Sequence, residues 1–260
     1  MPMFRNMSKD VNKGQKMVKR FALGPRLAHW IYAFTFLMLW ITAMPKVFNW
    51  EGFKVIYTLF GGPAGTHLAH RIFAVIMIGT VVLTTLLDWK NTWKWLRELK
   101  DWRKRDFSFL MIFPKEFFGL PNKYPKQGYL NGGTKINSIL QIVCFFGFAI
   151  SGIFMWFPNI LPYTVQVWMY PTHIIAVSFA TAVVFGHIYL AALHPNSKGG
   201  LQGMIHGYVP VSYAAGHHGA WYDEVVEECK KDKKSKDIMT YEEFCSGADE
   251  LASKEQRKKA

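Results

Sequence analysis

"PTHIIAVSFATAVVFGHIYLAAL", residues 171–193, is apolar from end to end, carries no Lys, Arg, Asp or Glu, and is interrupted by two histidines, His173 and His187. About 20 apolar helical residues cross the hydrocarbon core of a bilayer, so the stretch reads as a membrane span. With it come three similar runs: 27–44 (LAHWIYAFTFLMLWITAM), 68–89 (LAHRIFAVIMIGTVVLTTLLDW) and 136–157 (INSILQIVCFFGFAISGIFMWF), the fourth span itself covering 172–194. The expected fold is an all-α membrane protein: a four-transmembrane-helix bundle over 27–194, with a polar segment 1–26 before it and a tail 195–260 after it. The N-terminus lacks the short apolar core and small-residue cleavage site of a signal peptide, so the first run is expected to stay in the chain.

The formal net charge is +13. Its placement argues against nucleic acid as the partner. Residues 1–26 carry seven Lys or Arg, 45–67 two, 90–135 eleven, 158–171 none, and the chain from 195 onward ten. High and low values alternate across successive spans, which is the positive-inside pattern. Both termini and the 90–135 loop are therefore expected to face the cytoplasm in a multi-pass membrane protein. The three cysteines, Cys144, Cys229 and Cys245, form neither CxxCH nor a CxxC cluster, so they read as free thiols rather than as covalent haem or iron–sulfur ligands.

Helix geometry sorts the histidines. Fourteen residues turn an α-helix by about 1400°, within about 40° of four full turns, and advance it about 21 Å. His173 and His187 thus share a face, one near each end of the fourth span. By the same topology His29 begins the first span on the cytoplasmic side, and His70 begins the second on the outer side. Depth alone pairs His29 with His187 and His70 with His173. Two imidazoles at each of two depths is the ligand set of two six-coordinate haems b, built between facing helices of a bundle. Ala28, Ala69, Ala176, Gly186 and Ala191 are small enough to let a flat macrocycle approach the backbone. His67, three residues before His70, competes with it. His67 lies nearer the GGPAG turn and water, which favours His70 as ligand and leaves His67 as a surface or propionate neighbour. His194 follows His187 by seven residues, on the same face at the cytoplasmic rim, where a proton-relay role is considered. A haem-free membrane anchor or transporter with buried histidines is the rival class.

These residues resemble a known family. "RLAHWIYAFTFLMLWITA", "LAHRIFAVIM", "THIIAV…GHIYLAAL", "KGGLQGMIHGYVP" and "HHGAWYDE" are similar, in order, to segments of the cytochrome b (gamma) subunit of respiratory formate dehydrogenases. More broadly they are similar to the nickel–iron hydrogenase cytochrome b group. The likeness covers roughly residues 19–226. It implies a cytoplasmic-side haem on His29 and His187 and an outer-side haem on His70 and His173, in agreement with the depth pairing. It also implies quinone binding by Asn131, Gly133 and His187, with menaquinone or ubiquinone as acceptor. An Asn amide donates to a quinone oxygen without adding charge, and glycine lets the ring come close. Arg20, Arg26 and Lys135 are then expected beside the cytoplasmic haem, as propionate partners or on a proton path. Arg71 stands where formate dehydrogenase members tend to have Pro, and His67 is unusual.

The resemblance implies partners as well: membrane lipid, an iron–sulfur subunit and a catalytic oxidoreductase subunit. This chain carries no motif for primary-substrate chemistry. Formate is the first expectation for the donor complex, with hydrogenase and thiosulfate reductase-type complexes as alternatives.

Overall fold

The computed structural model describes residues 14–48, 50–120, 123–194, 199–231, 237–240 and 243–246. Among the described residues, four helices are long and apolar enough to cross a membrane: Leu23–Val47, Gly62–Leu87, Gly132–Trp156 and the stretch Tyr163–Leu193. In chain order the helices are α1 (Leu23–Val47), α2 (Glu51–Leu59), α3 (Gly62–Leu87), α4 (Trp89–Lys100), α5 (Lys104–Phe117), α6 (Gly132–Trp156), α7 (Tyr163–Gln166), α8 (Met169–Ile188), α9 (Gly199–His206), α10 (Val211–His217) and α11 (Gly219–Lys231). The four long runs of the sequence correspond to α1, α3, α6 and α8, each longer or shifted by a few residues at its ends.

The chain divides into two compact units, one comprising 22–97 and 139–183, the other 1–21, 98–138 and 184–260. In the first, all four long helices contribute to one buried cluster. Met77 of α3, Cys144 and Phe148 of α6 and Ala180 of α8 are buried together, and Tyr32, Phe36 and Leu39 of α1 pack against them. Gly147 lets α6 approach α8, since a Cβ there would lie 3.0 Å from the Ala176 Cβ. The opposite faces are equally apolar and uncovered: Phe34, Leu37, Val75, Leu86, Val143 and Phe179 are all exposed. Helices apolar all round, with one stripe packed and the rest uncovered, suit a lipid surround. Between α2 and α3 the chain turns on Gly61 (φ +76°) and Gly62 (φ +91°), the left-handed region that glycine enters without strain.

The second unit departs from the all-α expectation. It holds a three-stranded antiparallel sheet in the order β2-β1-β3, from β1 (Lys16–Lys19), β2 (Tyr208–Pro210) and β3 (Ile238–Thr240), with Val18 opposite Val209 and Ile238. Val18, Val209, Ala214, Trp221 and Val225 form its core. Strands of three or four residues set among charged ones are too short for period-two alternation to stand out. Among the described residues, those of 14–21 and from 184 onward group with 98–138.

Candidate functional site

His70 lies in the third turn of α3, and its Nδ1 is 2.8 Å from Thr42 Oγ1 on α1. That hydroxyl is also 2.8 Å from Met38 O and 3.1 Å from Leu39 O, one turn back on its own helix. With its single proton given to those carbonyls, Thr42 accepts from His70 Nδ1–H. His173, near the start of α8, is held in the same sense. Its Nδ1 is 3.0 Å from Phe148 O, an atom that only accepts, and 3.2 Å from Ser151 Oγ, whose own proton goes to Gly147 O at 2.6 Å. Gly152 gives this ring room: a Cβ there would stand 3.3 Å from His173 Cε1. Both rings therefore carry their proton on Nδ1 and keep the Nε2 lone pair for another partner. An Nδ1–H anchored to an oxygen with Nε2 left basic is how protein histidines are prepared for metal ligation. The two side chains present fit the axial ligands of a haem.

His67 is half-buried, and among the described residues no hydrogen bond fixes its ring. That contrast favours His70 as the ligand, as its position in the sequence does. His29 is half-buried on α1, edge-on to Trp30 with ring centroids 5.2 Å apart. His187 is exposed near the end of α8, and an unbroken α-helix joins it to His173. His29 belongs to the first unit and His187 to the second.

His194 is a correction. The seven-residue spacing from His187 assumed an α-helix, but Tyr189–Leu193 is a π-turn, closed by His194 N–H donating to Tyr189 O at 2.9 Å. The wider turn takes His194 off the His187 face. Its ring is buried, 1% exposed, edge-on to Tyr189 rather than at a wet rim.

The expected quinone residues begin α6. Asn131 Oδ1 accepts from Thr134 N–H at 2.8 Å and from the Thr134 hydroxyl at 3.0 Å, the geometry of a helix N-cap. Only its amide end is left to meet a ligand. Gly132 is required by packing, since a Cβ there would lie 2.5 Å from Asp106 O, and Gly133 is in a tight place, 3.0 Å from the Phe109 ring by the same measure. Lys135, expected beside a propionate, is 3% exposed and donates to Asp106 Oδ2 at 2.8 Å and to Asp101 O at 2.5 Å. Asp106 Oδ2 also accepts from Arg103 N–H at 2.9 Å, capping α5. The Lys135 charge thus already has a carboxylate partner.

Arg20 sits in an aromatic box of Phe21, Tyr129 and Trp221, with its Cζ 5.3, 4.9 and 4.8 Å from the ring centroids, and Nη2 donates to Tyr129 O at 2.8 Å. Burial pulls the guanidinium below its usual pKa, and the nearby Tyr213 and Tyr129 oppose the shift. His218, 1% exposed, donates from Nδ1 to Gly128 O at 3.0 Å. The Arg20 box and His218 belong to the core of the second unit. Arg26 is half-buried in the first turn of α1.

The family model for prokaryotic cytochrome b561 matches residues 20–207. The chain is 25% identical over 224 residues to the formate dehydrogenase cytochrome b556(fdo) subunit of Escherichia coli (strain K12), covering 84% of this chain and 98% of that one. It is 24% identical over 234 residues to the formate dehydrogenase cytochrome b556 subunit of Haemophilus influenzae (strain Rd), covering 87% and 91% respectively.

Proposed function

Since the chain belongs to the prokaryotic cytochrome b561 family, as a membrane electron-transfer subunit, we propose that it is the di-haem cytochrome b subunit of a formate dehydrogenase-type complex. Two haems b, when bound, supply one-electron transfer across the membrane from an outer-side iron–sulfur subunit to menaquinone or ubiquinone near the cytoplasmic face. The observation that carries the reading is the matched anchoring of His70 and His173, each with Nδ1–H held by an oxygen and, among the described residues, no hydrogen bond at Nε2. Thr42 and Phe148 O fix the tautomer and the ring plane, so neither histidine reorganises when it ligates. His29 and His187 are proposed as the second pair on sequence depth and resemblance. His187 and the Asn131 amide would donate to a quinone oxygen, with Gly133 as the close approach. The formate assignment rests on the two relatives, whose names state that activity.

The test is a redox difference spectrum of the full chain purified from bacterial membranes, with haem counted by pyridine haemochrome. Two b-type haems per chain are expected, and a chain without haem would overturn the reading. Mass spectrometry of the co-purifying proteins identifies the donor. An iron–sulfur subunit alongside a formate-oxidising one is expected, and hydrogenase subunits would replace the formate assignment.

A further inference from the structure

Arg71 is the only Lys or Arg inside any of the four apolar runs, one residue after His70. A charged side chain within a span is costly and marks function unless it is paired. Its guanidinium lies over the Trp156 ring of α6, 5.1 Å from the centroid. Among the described residues it forms no ion pair.

A second cation stands nearby. Lys46 follows Thr42 by four residues on α1, so it is one turn beyond the hydroxyl that holds His70, on the same helix face. His67 precedes His70 by three residues and lies one turn in the same direction on α3. Thr42 Oγ1 meets His70 Nδ1 at 2.8 Å across α1 and α3, so the turn that carries Lys46 on α1 lies level with the turn that carries His67 on α3, and Arg71 follows His70 directly. Three basic groups thus crowd one end of the His70–His173 site.

Among the described residues no carboxylate pairs with them. The two loops at that end, 45–67 and 158–171, contain one acidic residue, Glu51. Glu51 is paired with Lys54 at 2.5 Å on exposed α2. A cationic cluster without its own anion, set beside a pair of prepared haem ligands, is complementary to the two propionate carboxylates at a haem edge.

We propose that Lys46 and Arg71, together with His67, form the carboxylate-binding site for the haem held by His70 and His173. The inference rests on the di-haem reading and adds to it the residues that orient that haem about its ligand axis. Cations beside the propionates favour the ferrous form, so they also raise the potential of this haem.

Equilibrium redox titration of the full haem-loaded complex tests it, comparing wild type with Lys46→Gln/Arg71→Gln and with the charge-retaining Lys46→Arg. The component absent from His173→Ala identifies the haem in question. In the double variant, two haems per chain are expected, and at fixed poise the ferrous-to-ferric ratio of that component should fall about tenfold, a shift of about 59 mV for a one-electron couple. Lys46→Arg should titrate as wild type. Two retained haems with that potential unmoved would overturn the proposal, as would an equal shift of both components. A shift seen in vesicles containing phosphatidylglycerol but not in neutral detergent would also overturn it, since the cluster would then serve lipid phosphates. A wild-type chain without haem would instead overturn the di-haem reading on which the proposal stands.

Discussion

Thr42 Oγ1 and His70 Nδ1 are 2.8 Å apart across α1 and α3, and the hydroxyl proton is already committed to the α1 backbone. The bond therefore has a fixed direction and sets which ring nitrogen is basic. Thr42→Val preserves shape and removes the acceptor. Haem occupancy at the His70 site should fall by about 10–100-fold in affinity, the usual cost of losing an outer-shell partner. Thr42→Ser should retain it. Haem titration into the depleted protein reads the difference.

His70 and His67 separate in the same assay. His70→Ala should leave one haem per chain by pyridine haemochrome, while His67→Ala should leave two. The reverse result would assign the ligand to His67.

Asn131 carries a structural role as well as the proposed chemical one. Asn131→Asp keeps the capping oxygen and loses the amide donor, so stability should hold while quinone reduction slows with both haems present. Asn131→Ala should in addition cost about 1 kcal/mol through loss of the cap. Quinone-reduction kinetics and thermal melting, measured on both variants, distinguish the roles. Unchanged kinetics in Asn131→Asp would leave only the cap.

The Asp106–Lys135 pair is almost wholly buried, 0% and 3% exposed. Removing one partner strands the other charge, so Lys135→Met should destabilise by about 3–5 kcal/mol. The double variant Lys135→Met/Asp106→Leu should recover much of the loss, and the haem count should not change. Melting temperature together with haem content checks both statements.

His218 gives a pH dependence. Burial first, then the nearby Arg20 cation, holds its folded pKa well below the ordinary 6.5. The unfolded ring takes up a proton as pH falls through about 6.5, whereas the folded ring stays neutral. Its effect on stability is therefore absent above that range, and stability is lost progressively as pH falls from about 7 towards 5. Melting temperature against pH should slope downward on the acid side, and His218→Gln should flatten the slope. An identical slope in the variant would remove His218 as the cause.

The four spans and the histidines were legible in the sequence because both signals are coarse. Twenty apolar residues mark a span whatever they pack against, and a histidine in such a run has few inexpensive roles. The groups that hold the His70 and His173 rings were not legible. Thr42 and Ser151 are two of many hydroxyls in apolar helices, most of which bond only to their own backbone, as Thr80 and Thr181 do. Phe148 acts through its carbonyl oxygen, which carries no sequence signal at all. Asp106 as the partner of Lys135 needed the tertiary fold, since 29 residues separate them. The sheet was missed because its strands come from distant parts of the chain, and no one of them is long enough to declare a period.

The π-turn at Tyr189–Leu193 bears on how relatives of this chain are aligned. Each hydrogen-bonded ring in a π-turn encloses one more residue than in an α-helix. A relative with one residue fewer between its counterpart of His187 and its counterpart of His194 can close the same stretch as plain α-helix. The single gap that aligns the two chains then records a change of helical winding rather than a shortened loop. Residues beyond that gap then keep the same direction in the two proteins, because the wider turn takes up the extra residue.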